Sequence, residues 1–161
     1  MQGVMLRAIG MVDESVEKMW KDYLKSAGVS SATYTAWQFG RTPEVADELA
    51  ALVIEGRKRA TTGLAFEYEL EGEPLPKKGD LSIVLGGDGR ARCIIRTTSV
   101  RIMPFGDVPE EFAWKEGEDD RSLRSWREVH ERVFTLDCES IGRKFGPDMQ
   151  VVCEEFEVVF Q

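Results

Sequence analysis

At Gly56 the chain changes its rhythm, from apolar residues at helical spacing to apolar residues in extended runs. Upstream, Thr42-Pro43-Glu44 opens a helix whose inward stripe is Val45, Ala46, Leu49, Ala50, Val53 and Ile54. Thr42 is a good cap, Pro43 fits the first helical turn, and Glu44 complements the positive end of the helix dipole. Gly56 is the expected stop, because glycine enters the left-handed region without penalty. Downstream, Ala60 to Leu70 reads as a strand. The junction Gly56-Arg57-Lys58-Arg59-Ala60-Thr61-Thr62 is thus a helix-to-strand turn carrying the densest basic cluster of an acidic chain. An amine and a hydroxyl within reach of one another bind a phosphate or activate a nucleophile.

The rest of the chain sets this junction in an α+β frame. Val16, Met19, Trp20, Tyr23 and Leu24 predict a helix over Asp13 to Ser26, closed by Gly28. Ser30 to Gly40 reads as a polar connection holding Trp37 and Phe39. Beyond a Pro74 to Asp80 loop, Leu81–Leu85 and Ala91–Met103 flank the turn Gly86-Gly87-Asp88-Gly89 and predict a hairpin. Pro109 to Ala113 predicts a helical turn, Ser122 to Phe134 a helix, and Val151 to Phe160 a final strand. Two helices, three or four strands, a helical insertion and a last strand do not make the alternation of a doubly wound sheet. They suit a small, mostly antiparallel β-barrel flanked by helices.

At 161 residues the chain is read as one domain, with 42% hydrophobic and 31% charged residues. No apolar run has the roughly 20 residues of a membrane-spanning helix. Residues 1–11 lack the pattern of a secretory signal, so a cytoplasmic protein without a membrane partner is expected. Cys93, Cys138 and Cys153 are widely spaced and odd in number, and His130 is the single histidine. Neither a disulfide framework nor a zinc site is suggested, although an all-oxygen site for a divalent cation stays open. The net charge of −8 opposes tracking along duplex DNA. A local basic pocket is still able to take a nucleotide or a short single strand.

Read singly, the candidates divide between chemistry and packing. Lys58, flanked by Arg57 and Arg59, is either a base with a lowered pKa, a fixed cation for phosphate, or a solvated lysine at a helix end. Thr61 is a nucleophile only with a base about 3 Å from its hydroxyl. Residues three apart on a regular strand face opposite ways, so contact with Lys58 needs a bulge or the lysine's long stem. Thr62 points away from Thr61, toward packing or solvent. Glu116 lies in an acidic run with Glu110, Glu111, Glu118, Asp119 and Asp120. Such a run is ordinarily a solvated loop, but it can supply a carboxylate beside Lys58 or hold a cation. Trp37 and Phe39 are the better stacking candidates for a base; Trp126 offers an edge, and His130 reads as core.

The ordered set of these features resembles a known family. Gly56-x-Lys58-x-x-Thr61 is similar to the signature of the ASCH domains, whose barrel is like that of the PUA RNA-binding domain. Trp37-Gln38-Phe39-Gly40, Glu73-Pro74-Leu75-Pro76, Gly79-Asp80, Phe112-Ala113, Glu116-Gly117-Glu118, Ser122-Leu123, Trp126, His130 and Val151-Val152-Cys153-Glu154-x-Phe156 extend the likeness. It resembles the bacterial branch with a helical N-terminal extension, here residues 1–36, ahead of a signature helix, barrel and helical insertion over 37–161. The resemblance implies a PUA-like barrel and RNA or a nucleoside as partner. It also implies Lys58, Thr61 and Glu116 as catalytic residues, with Arg57, Arg59, Trp37, Phe39 and Trp126 contacting substrate. Known members suggest cleavage of single-stranded RNA, with a divalent cation as a possible cofactor, or removal of the acyl group of N4-acetylcytidine. A non-catalytic RNA-reading module is the third expectation. One departure stands out: Asp119 occupies a place where this branch usually has glycine.

Overall fold

The computed structural model describes residues 12–161. The start of the N-terminal extension, with the expected absence of a secretory signal there, lies outside the described residues. Helix α1 (Glu14–Ala27) is capped by the Asp13 carboxylate on the Ser15 amide and ends at Gly28 in the left-handed conformation. Helix α2 (Pro43–Ile54) is capped by the Thr42 hydroxyl on the Val45 amide, as its opening residues predict. Among the described residues, no helix is long and apolar enough to cross a membrane.

Among the described residues, five strands form one curled, half-barrel sheet in the order β1-β3-β4-β5-β2. They are β1 (Thr35–Gln38), β2 (Ala60–Leu64), β3 (Leu81–Leu85), β4 (Ala91–Pro104) and β5 (Gln150–Phe160). The predicted hairpin is β3–β4, and every pairing is antiparallel except β1 with β3. Strand β1 corrects the reading of Ser30 to Gly40 as mere connection. Four residues with Trp37 facing inward give too short an alternation to register as a strand, and the parallel ladder to β3 supplies the order.

A second correction follows β2, which stops at Leu64; Ala65–Glu71 is helix α3, closed by left-handed Gly72. Phe66, Tyr68 and Leu70 alternate with acids as a strand would. Alanine, leucine and glutamate are nevertheless strong helix formers, and here that propensity prevails. Helix α4 (Glu110–Glu116) exceeds the predicted turn, and α5 (Leu123–Ser140) continues well past Phe134.

The sheet carries helices on both faces. Helix α2 covers Val84, Cys93, Ile95 and Phe156 with Leu49, Ala50 and Val53, while α1 covers Ile83 and Ile94 on the reverse side with Val16. Helices α4 and α5 pack Phe112, Trp126 and Phe134 against Ala60, Leu64, Val151 and Cys153. Strand β2 is thereby held between its ladder to β5 and the C-terminal turn of α4, where the Arg59 amide donates to the Lys115 carbonyl.

Candidate functional site

The site is built where the turn after α2 meets the end of α4. Gly56 (φ 75°) ends the helix, and the amides of Arg57 and Lys58 both donate to the Leu52 carbonyl. Lys58 is thus turned inward just before β2 begins, and it is completely buried. Its ammonium donates to Glu118 Oε1 at 2.7 Å and to Glu116 Oε2 at 3.2 Å. It also lies 5.3 Å from the centre of the Phe39 ring, just beyond β1, so the two outer ends of the half-barrel approach each other there.

Glu116 is equally buried and organises its own shell. Trp126 Nε1 donates to Oε1 at 2.9 Å, and the Thr62 hydroxyl donates to the same oxygen. His130 stacks on Trp126 with ring centres 4.3 Å apart, and its Nε2 stands 3.5 Å from Glu116 Oε1. Trp126, expected to touch substrate, donates its indole N–H to Glu116 and so orients that carboxylate. Thr62, expected to pack or face solvent, belongs to this network, because β2 turns its even-numbered residues toward α4 and α5.

Glu118 completes the trio and keeps 16% of its side chain exposed. Gly117 lies between the two glutamates at φ 74°, which folds the chain back so that both carboxylates reach one ammonium. Arg57 secures this loop: Nε donates to the Gly117 carbonyl at 2.7 Å and a terminal nitrogen to the Asp119 carbonyl at 2.6 Å. Its guanidinium thus bridges the backbone of the turn after α2 and the loop after α4. Arg59 is exposed and lies over Trp114, 5.7 Å from the ring centre. Phe39 is fully enclosed and Trp37 is 3% exposed, so Phe39 is wall and Trp37 offers only a sliver of surface to a base.

Burial alone would push the Lys58 ammonium down, but Glu118 and Glu116 overcome it and raise its pKa above the ordinary lysine value. Lys58 is therefore held as a cation rather than as a free amine base. Burial likewise pushes the Glu118 carboxyl up, and the Lys58 charge helps to bring it down to about 2. Thr61 stands apart from the trio. It pairs across the sheet with Glu154, on the face opposite Thr62, and its buried hydroxyl has no hydrogen-bond partner. The expected contact of Lys58 with Glu116 is present and the expected contact with Thr61 is not. Among the described residues, no group of three or more histidines, cysteines or carboxylates is placed to hold a metal ion.

The sequence departure at Asp119 has a conformational counterpart, since its φ is 47°, in the region that favours glycine. Asp119→Gly keeps the carbonyl that Arg57 uses and removes the strain. It is expected to raise stability by about 1 kcal/mol, read as a higher urea midpoint with unchanged slope; a lower midpoint would contradict this account.

The sequence model of the ASCH domain matches residues 35–160. The crystal structure of an ASCH domain from Lactobacillus crispatus JV V101 superposes with a TM-score of 0.84 at 34% identity, covering 95% of this chain and 99% of that one. A crystal structure of a protein from Enterococcus faecalis V583 gives a TM-score of 0.83 at 39% identity, covering 91% of this chain and 88% of that one. No curated protein matches the chain.

Proposed function

The chain belongs to the ASCH domain family, and from that premise we propose that it binds RNA and hydrolyses single-stranded RNA in the cleft centred on Lys58. The observation that carries this reading is a lysine kept charged by two carboxylates, one of which, Glu118, is partly exposed and 2.7 Å away. While paired with Lys58, Glu118 is a poor base. A phosphodiester that takes its place on the ammonium returns it to ordinary basicity, so substrate binding itself activates the base. Glu118 then takes the proton of the 2′-hydroxyl, and the 2′-oxygen attacks the adjacent phosphorus. The bond to the 5′-oxygen breaks, and that oxygen leaves with a proton from water. Lys58 stabilises the charge on the phosphoryl oxygens, and Glu116, fixed by Trp126 and Thr62, holds Lys58 in place. Exposed Arg59 is suited to the neighbouring phosphate.

The products expected from a labelled single-stranded RNA are a 2′,3′-cyclic phosphate and a 5′-hydroxyl. Glu118→Gln should reduce the rate by about 100-fold or more; each assay is run with and without a divalent cation. Uncleaved RNA under every condition would overturn the reading. A second reading rests on Thr61, whose buried, unpartnered hydroxyl costs about 1–3 kcal/mol and would suit a nucleophile that acquires its partner from substrate. It predicts release of cytidine from N4-acetylcytidine, lost in Thr61→Ala. Retention of RNA without either product would leave a binding module.

A further inference from the structure

A cavity of about 710 Å³ opens between the sheet, α3 and the loop that precedes β3, and none of Lys58, Glu116 or Glu118 lines it. That volume falls in the range of small-ligand sites. Its walls include Trp37 and Tyr68, and its polar groups include Ser82, Thr97, Asp80 and Glu154. Glu154 lies in the middle of the sheet, between β2 and β4, and is 5% exposed. The Thr97 hydroxyl donates to its Oε1 at 2.6 Å. Among the described residues, no lysine, arginine or other side chain is recorded on its second oxygen. Thr61, directly across from Glu154, brings an unpartnered hydroxyl to the same face.

A carboxyl group buried without a cation is costly unless something supplies it with donors. Burial and the nearby Asp80 carboxylate both push its pKa up, while Thr97 opposes them. Three acids, Glu73, Asp80 and Glu154, line the cavity beside one lysine, Lys77, a balance that disfavours a phosphate or another anion. The second oxygen of Glu154 accepts an N–H, and the narrow aromatic surface that Trp37 and Tyr68 leave in the lining suits the edge of a ring. We propose that this cavity binds an amino-substituted nitrogen heterocycle, a nucleobase or similar ring, whose amino group donates to Glu154. Trp37 thereby recovers part of the base-contacting role expected from the sequence, at a place separate from the Lys58 trio. The inference does not require hydrolysis at Lys58.

Equilibrium calorimetry on the full chain tests it with two pairs of probes that differ in an amino or a keto group: adenosine with inosine, and cytidine with uridine. The amino member of each pair is expected to bind at least about tenfold tighter. Glu154→Gln, whose amide presents both a donor and an acceptor, should erase that preference, and Arg124→Ala, at an exposed residue of α5 that does not line the cavity, should preserve it. Equal affinity within both pairs overturns the inference, as does a preference unchanged in Glu154→Gln. Spermidine competing as well as adenosine also overturns it, because the cavity would then read charge alone. The comparison within the native protein decides the matter even where a variant is too unstable to measure. If no RNA is cleaved while the amino preference holds, the hydrolase reading fails and this one stands.

Discussion

Lys58→Met is expected to lower stability at neutral pH by about 3–5 kcal/mol and to abolish RNA cleavage. The stem of methionine fills much the same space, so packing is nearly conserved. What is lost is the cation shared by two buried carboxylates. Solution pH separates this cause from a generic defect. In the native chain Lys58 is raised above its ordinary 10.5, so its contribution is fully present below that value and lost only as pH rises through the higher folded value. Glu118 is lowered from 4.5 to about 2, so its contribution is present above its unfolded value and lost as acid is added from there toward pH 2. In the variant the Glu118 carboxyl loses the Lys58 charge that lowers it, so burial and Glu116 move it up from its native value. Below about pH 5 the native protein should lose the Glu118 contribution on acidification, while Lys58→Met, already without it, should show a shallower slope. Urea unfolding at a series of pH values measures both slopes; parallel slopes would show that the trio is not electrostatically linked. Lys58→Met combined with Glu116→Gln should recover part of the loss, since it removes one buried charge.

The second large effect is expected at Gly117. A Cβ built there falls 2.2 Å from the Arg57 carbonyl oxygen and 2.9 Å from the Lys58 amide nitrogen, and the residue has φ 74°. Gly117→Ala therefore combines left-handed strain with a collision against backbone that itself positions the site. A loss of at least about 2 kcal/mol is expected, together with a fall in cleavage as the two glutamates lose their common target. Gly142 provides the control: its φ is 70° and a Cβ there meets nothing within 4 Å. Gly142→Ala should show the strain alone, at about 1 kcal/mol. Equal losses at the two positions would mean that the close approach to Arg57 is relaxed by a small shift of the loop.

Much of this arrangement is legible from residues whose local chemistry has one solution. The capped start of α2, the glycine that ends it, the glycine-rich hairpin and the final strand are of that kind. So is the meeting of Lys58 with Glu116, which the likeness to ASCH domains implied. Other features depend on partners distant in sequence. Strand β1 is recognisable only beside β3, and α3 shares its alternation with a strand. Thr61 and Thr62 are neighbours of one residue type, and only the pairing of β2 decides that Thr62 faces Glu116 while Thr61 faces Glu154. Glu118 lay hidden among acids that are mostly solvated. The signal that distinguishes it is the intervening Gly117, whose conformation returns the chain toward Lys58. That Arg57 holds two backbone carbonyls is likewise invisible in sequence, because a carbonyl leaves no mark there.

Strand β2 has one ladder, and its partner is β5. Three helices and two strands lie between them along the chain, so the strand that follows the lysine turn gains its ladder from the last strand, while α4 supplies the partners of the turn itself. Closing so long a loop adds little to the equilibrium cost but delays the event itself. The β3–β4 hairpin, by contrast, is closed by a short local turn. The site is thus completed by segments far apart along the chain, and its assembly depends on the whole fold rather than on the turn after α2 alone.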